Sequence, residues 1–278
     1  MKFTFLGTGD VKRVPVWGCQ CAACNRAALL TNYARGPATA MVEVDDFRLL
    51  INAGHPDLSA QFVPRQLDGI LLTHMQLEHV LGLLHMRWGE GEKLPVYGPR
   101  DLHCFTELVE QSGLLDFVAL HKPFEPMKLF TKSLPLTVIP VPLNSIHRTW
   151  GYCIEYGQFH LAYLTQAKNL PRETLSFLSR WRPQIMVLDC PLPPKKYDPE
   201  LDHTVENSLD DVVTLLNDYR TLSASSTACW LTQIGHHMDR YLMENADQLP
   251  MDIHVARDRE KLDLNELLIW GKDIKFTG

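Results

Sequence analysis

The sequence predicts an α/β (α+β) protein: two mixed sheets packed face to face with helices outside, a four-layer αββα sandwich. Two observations lead there. Apolar and alternating runs come first as meanders and then alternate with helical patterns, and this order occurs twice along the chain. At 278 residues the chain is also long enough to bury a sizeable core, as one large domain or two smaller ones.

Lys2 to Leu6 alternates and breaks at Gly7-Thr8-Gly9, a strand followed by a turn. Pro15 to Cys24 has little periodicity and reads as a loop. Ala38 to Val44 and Phe47 to Ile51 form a hairpin turning at Asp45-Asp46. Gly69 to Leu72 is a strand that runs into a helical pattern beginning near Leu77. Leu94 to Pro99 is a short strand, and Asp101 to Gln111 a helix with Asp101 as its cap. Leu136 to Leu143, Gly151 to Tyr156 and Phe159 to Thr165 form a second run of strands. Pro171 to Arg180 is a helix with proline at its first position, and Ile185 to Cys190 is a buried strand. Pro191 to His203, rich in Pro and Lys, is the longest loop and a candidate flap. Leu209 to Tyr219 and Met238 to Ala246 are helices, alternating with strands at Ala228 to Thr232 and Met251 to Ala256. Residues 1–257 therefore form the domain, with a cysteine-rich loop at 14–25, and residues 258–278 form a helical tail.

Composition excludes some functions. Hydrophobic content of 45% and charged content of 22% are ordinary for a globular protein. A net charge of −6 argues against a general nucleic-acid or anionic-membrane binder. No apolar run approaches the ~20 residues that span a bilayer. The N-terminal run reads as a first strand and not as a signal peptide. Seven cysteines is an odd number, and three crowd into Cys19-x-Cys21-x-x-Cys24. Without an export signal the cluster points to a metal site in a reducing cytoplasm, not to disulfides. Three thiolates within six residues suit tetrahedral zinc or an iron–sulfur cluster, with a fourth ligand from elsewhere. His236 is the candidate, although a surface position at a helix start would equally explain it. Cys104, Cys153, Cys190 and Cys229 read as small buried hydrophobes.

The strand-to-helix corner Thr73-His74-Met75-Gln76-Leu77-Glu78-His79 gathers two imidazoles, an amide and a carboxylate within six residues. Its spacing resembles the metal-binding signature His-x-His-x-Asp-His of the metallo-β-lactamase superfamily, with Gln76 at the second His and Glu78 at the Asp. Longer stretches resemble the phosphoribosyl cyclic phosphodiesterase of the bacterial carbon–phosphorus lyase pathway (the PhnP family). They include Val14-Pro15-Val16-Trp17-Gly18-Cys19-Gln20-Cys21-Ala22-Ala23-Cys24, Arg87-Trp88-Gly89-Glu90-Gly91 and Leu242-Met243-Glu244-Asn245-Ala246. The resemblance implies a metallo-β-lactamase fold, a structural zinc on Cys19, Cys21, Cys24 and His236, and a homodimer. It also implies a dinuclear Mn or Zn centre that cuts a cyclic phosphodiester. Of that centre's ligands, His74 and His79 are kept. The positions that resemblance assigns to acids and histidines carry Asn52, Gln76, Ser145, Gln166 and Gln233. His203 stands where the resemblance places a general acid. A further resemblance, to pyrroloquinoline quinone biosynthesis protein B, rests on Asn52-Ala53 and Gln76-Leu77-Glu78-His79. It implies that a departed active site can be reused around a single redox metal.

Amides and a hydroxyl are poor partners for divalent transition metals, and loss of the bridging carboxylate removes what holds two ions together. Three readings follow. In the first, the chain is a non-hydrolytic, ligand-binding homologue that keeps the structural zinc and lines its cleft with Gln76, Gln166, Gln233 and Ser145. In the second, it is a mononuclear metalloenzyme, oxygenase-like or hydrolytic, with Fe, Mn or Zn on His74, Glu78 and His79, and His147 as a further donor. In the superfamily, however, His74 faces one metal and Glu78 and His79 the other. In the third, weak phosphodiesterase activity survives. Each reading expects a small-molecule ligand, phosphorylated where the resemblance extends to it, with no nucleic acid or membrane as partner. Asp189, ending a buried strand, either orients a ligand histidine or caps the next loop.

Overall fold

The computed structural model describes residues 1–62, 66–99, 106–225 and 227–264. The first half runs β1 (Lys2–Gly7), α1 (Ala22–Leu29), β2 (Thr39–Val44), β3 (Phe47–Ile51), α2 (Leu58–Gln61), β4 (Gly69–Leu71), α3 (Leu77–Val80), α4 (Leu83–Met86), β5 (Leu94–Gly98), α5 (Thr106–Glu110) and β6 (Leu115–Ala119). The second runs β7 (Met127–Leu129), β8 (Leu136–Pro142), β9 (Trp150–Tyr156), β10 (Phe159–Leu164), α6 (Arg172–Trp181), β11 (Ile185–Asp189), α7 (Leu209–Ser223), β12 (Ala228–Thr232), α8 (His236–Asn245), β13 (Ile253–Val255) and β14 (Lys261–Asp263).

Two seven-stranded sheets result, in the orders β14-β1-β2-β3-β4-β5-β6 and β13-β12-β11-β10-β9-β8-β7. In each, antiparallel strands give way to parallel ones, β3 to β6 in the first sheet and β10 to β13 in the second. The parallel strands are where helices alternate with strands, because a parallel neighbour requires a crossover. The period of two sorts side chains between layers. On β11, Ile185 and Val187 enter a cluster shared by both sheets with Phe3, Tyr152 and Tyr163, while Met186 and Leu188 join the layer of α6, α7 and α8. A third cluster packs α2 to α5 on the outer face of the first sheet. The Tyr152 hydroxyl donates to the Leu72 carbonyl at 2.6 Å, tying one sheet to the other. The four αββα layers expected from the sequence are present.

Boundaries differ in places. The loop read at Pro15 to Cys24 ends in helix α1, which Cys21 caps by accepting from the Cys24 N–H. The helical pattern at Leu77 closes only one turn before the chain bends at Gly82 into α4. Thr106–Glu110 is the described part of the helix read at 101–111, and its proposed cap Asp101 lies outside the described residues. Edge strands β6 and β7 are new. So is β14, which pairs antiparallel with β1 through Lys2↔Asp263 and Phe3↔Leu262. That corrects the division at residue 257: Asp258 accepts from Thr8 and from the Gly36 N–H, and Leu262 and Leu264 are buried. Residues 258–264 therefore belong to the domain, and the rest of the expected helical tail lies outside the described residues. The expected flap is tied down as well. Asp198 pairs with Arg240 at 2.9 Å, and the Tyr197 hydroxyl donates to Glu244 at 2.8 Å, both on α8.

Candidate metal centre and adjoining cleft

The cysteine loop meets the start of α8, and the donor atoms of Cys19, Cys21, Cys24 and His236 lie within 4.8 Å of one another. His236 Nδ1 is 3.4 Å from Cys19 Sγ and 3.5 Å from Cys21 Sγ. Backbone N–H groups point at the sulfurs, Val16 to Cys24 Sγ at 3.3 Å and Cys24 to Cys21 Sγ at 3.4 Å. Such bonds favour thiolates. The Cys21 N–H beside Cys19 lowers that thiol's pKa, whereas burial pushes Cys24 up to about 12. Burial also holds His236 at about 4, so its imidazole is neutral and able to ligate. A soft set of four donors of this kind fits one metal ion with no vacant position.

The second constellation sits at the carboxyl ends of the parallel strands, where open α/β sheets place their ligands. Asn52 follows β3, Gln166 lies just beyond β10 and Gln233 follows β12. All three are in the left-handed region, with φ of 61°, 68° and 52°. Non-glycine residues adopt it at a cost, and it recurs where a side chain must be presented to a site. Gly54 brings the chain after Asn52 close against α3: a Cβ there would meet the Glu78 carbonyl oxygen at 2.1 Å. The Ala53 N–H donates to the His79 carbonyl at 2.8 Å. This contact fixes Glu78 and His79 at the cleft.

Donor atoms of His74, Glu78 and His79 lie within 4.8 Å of one another. Convergence therefore needs no rearrangement, unlike the split between two metals that the resemblance implies. His74 Nδ1 is 3.0 Å from Thr73 Oγ1, which Asn52 Oδ1 holds at 3.0 Å. Its Nε2 lies 3.1 Å from Gln76 Oε1 and 3.8 Å from Glu78 Oε1. The His74 contact holds the Glu78 carboxyl below the usual carboxylate range. Gln166 Nε2 is 3.4 Å from His79 Nε2 and donates to Gln233 Oε1 at 2.9 Å. His79 Nδ1 and Gln233 Nε2 are buried without a partner. Burial drives the His79 pKa well down, so its ring is neutral.

Two adjoining cavities of about 290 and 460 Å³ open over these residues and share Asp10, Val11, Glu78, Gln166 and Gln233. Ser145 and His147 line the larger one, both exposed, and His147 does not join the His74, Glu78, His79 group. His203 lies within 3.1 Å of the Asp198 carbonyl through Nε2, and it is Thr204, Val205 and Glu206 from its loop that line the cavity. Asp189 is bonded to the Ala167 N–H and the Asn207 amide, so it caps the loops after β10 and β11, and among the described residues no hydrogen bond joins it to a histidine. Two cleft carboxyls, Asp10 and Glu206, had no motif to announce them. Asp10's only signal is an acid directly after the Gly-Thr-Gly turn.

A profile described as a beta-lactamase superfamily domain matches residues 47–222. The chain belongs to this family. A solved diphosphatase of the PhnP family is 25% identical and superposes with a TM-score of 0.75, over 94% of this chain and 97% of its own. Zn²⁺-bound PqqB from Methylobacterium extorquens superposes with a TM-score of 0.71 at 18% identity, over 95% of this chain and 100% of its own, which speaks for the fold alone. Coenzyme PQQ synthesis protein B of Methylobacterium radiotolerans is 28% identical over 201 residues, 59% of this chain. The chain spans 64% of that relative's length. No described helix is long and apolar enough to cross a membrane.

Proposed function

We propose that this metallo-β-lactamase-fold protein is a non-hydrolytic homologue, with zinc on Cys19, Cys21, Cys24 and His236 and an amide-lined cleft that binds a small molecule. One observation carries the reading: the Nε2 atoms of both retained histidines lie against glutamine amides, His74 against Gln76 and His79 against Gln166. Ring nitrogens engaged in this way are not offered to a pair of metal ions. Asn52, Gln166 and Gln233 keep the strand-end backbone bends but supply no anionic bridge, which two cations in contact require. The zinc assignment rests on the donor set, three sulfurs and a neutral imidazole, and on the N–H groups aimed at the sulfurs. When bound, the zinc would hold the cysteine loop to the start of α8. A homodimer and a cytoplasmic location belong to the same reading and rest on the PhnP resemblance and on the free cysteines.

A second reading is favoured by the convergence of His74, Glu78 and His79: one divalent metal, held by two imidazoles and a carboxylate. Against it, His79 Nδ1 lacks the second hydrogen bond that usually orients a ligating histidine. Metal stoichiometry by plasma mass spectrometry, on protein purified without added metal, separates the two. We expect one zinc per chain, lost in Cys21→Ser. A second equivalent of iron, manganese or zinc that survives Cys21→Ser and disappears in His79→Ala would replace the first reading with the second.

A further inference from the structure

We propose that the cleft accepts an organic cation: a small amine with an apolar body and one oxygen acceptor. The inference rests on the reading of the cleft as free of a hydrolytic metal pair. The larger cavity, about 460 Å³, is the size of a small-molecule site. Its charged lining is acidic, with carboxyls from Asp10, Glu78, Asp189 and Glu206. The one lysine that faces it, Lys168, is already bonded to Asp211 Oδ2 at 2.6 Å and to the Glu206 carbonyl. Arg13 lines the smaller cavity from an exposed position. Among the described residues, neither Asp10 nor Glu206 has a cationic partner within ion-pair distance. Burial raises both carboxyls, Asp10 to about 7 with Glu206 as a second cause. A pair of half-buried carboxyls with no ion-pair partner, offset only by the exposed Lys12 ammonium at longer range, is a site for a positive charge.

A metal ion is the wrong occupant for this pair. The groups of three or more donors that converge within 4.8 Å among the described residues are the cysteine centre and His74, Glu78, His79, and neither Asp10 nor Glu206 belongs to them. Carboxyls spread across a cavity match a cation with a body. Val11, Ile146 and Val205, from three different loops, line the same cavity while 56%, 82% and 54% exposed, and supply an apolar surface for that body. Deeper, Gln233 is 3% exposed and its Nε2 has no partner, a buried donor that a ligand oxygen would satisfy. A dianionic phosphate would face the carboxyls of Asp10, Glu78, Asp189 and Glu206.

Three probes on one ring test this by isothermal titration calorimetry with the zinc-loaded protein: 4-(aminomethyl)benzamide, 4-methylbenzamide and 4-methylphenyl phosphate. We expect the amine to bind about tenfold or more tightly than its neutral counterpart, and the phosphate not to bind. In Asp10→Asn/Glu206→Gln the advantage of the amine disappears while the neutral amide keeps its affinity, and in Gln233→Leu both amides weaken together. Melting curves check that the variants fold, and single Asp10→Asn decides if the double variant does not. The proposal fails if the amine does not bind, if the phosphate binds as well as the amine, or if the amine's advantage survives in the double variant. Turnover of bis(p-nitrophenyl) phosphate with added Mn²⁺ is followed separately. Hydrolysis lost in His79→Ala would remove the non-hydrolytic reading and leave the three titrations to judge the amine.

Discussion

At Asp189 the carboxyl is enclosed at the end of β11, and burial pushes its pKa from 3.8 to about 7. Between those values the folded chain keeps a proton that the unfolded chain has released. Stability from this group therefore falls as the pH rises from about 4 to about 7. An asparagine oxygen can accept the same bonds from the Ala167 N–H and the Asn207 amide. Asp189→Asn is thus expected to fold and to flatten the decline of melting temperature across that range. An unchanged slope would place the buried charge elsewhere. Residue identity was informative for the cysteines, whose three-in-six spacing restricts them to few uses. For Asp10 and Glu206 it was not, because each is an ordinary acid until the fold sets both at one cavity.

Between elements, one arginine connects the cysteine loop to α8. Arg35 exchanges two backbone hydrogen bonds with Val14, at 2.7 and 3.2 Å, at the start of the loop. Its guanidinium grips Asp239 at 2.9 and 3.0 Å and also donates to Thr8 Oγ1 and the Ala256 carbonyl. Asp239 lies in the first turn of α8, which begins with His236. The pair is almost fully buried, so removing one member leaves an uncompensated charge and costs about 3–5 kcal/mol. Arg35→Met is expected to lower the melting temperature and to hasten metal loss to a chelator. Adding Asp239→Asn to it should recover part of the stability, since the stranded charge is gone. A lone Arg35→Met with unchanged chelation kinetics would separate this pair from the candidate metal centre. Strands β2, β3, β9, β10 and β11 were legible because apolar runs and alternation mark burial on one or both faces. Three-residue β7 and β14 were not, because so short a stretch carries too little pattern, and α1 was hidden because its buried face is short and made of the small residues Ala23, Cys24 and Ala27.

Across the whole molecule, the C-terminal return of the chain closes one sheet. β14 covers the edge of β1, and Leu262 and Leu264 seal the same end of the core, at 7% and 2% exposure. Leu262→Ala is expected to cost about 2–3 kcal/mol, as a large-to-small change in a nearly closed site. A chain ended at residue 257 should lose more and self-associate through the exposed β1 edge. Denaturant melts and light scattering read the two effects. A soluble, equally stable 1–257 chain would show that β14 only decorates the sheet. The same long-range closure builds the cleft, from the turn after β1, the strand ends of β3, β10 and β12, and the loop before α7.

The sequence alone determined the layer architecture, since burial forces a hydrophobic period on every interior strand and that period can be read locally. It also determined the cysteine cluster and the amides beside the two histidines, because both are matters of which residue stands at which spacing. The tertiary structure decided what those residues meet. It set His236 against the three sulfurs, laid glutamine amides on His74 and His79, turned His203 toward Asp198 and drew Asp10 and Glu206 to one cavity. Those outcomes depend on contacts between segments distant in the chain, and a local pattern does not encode them.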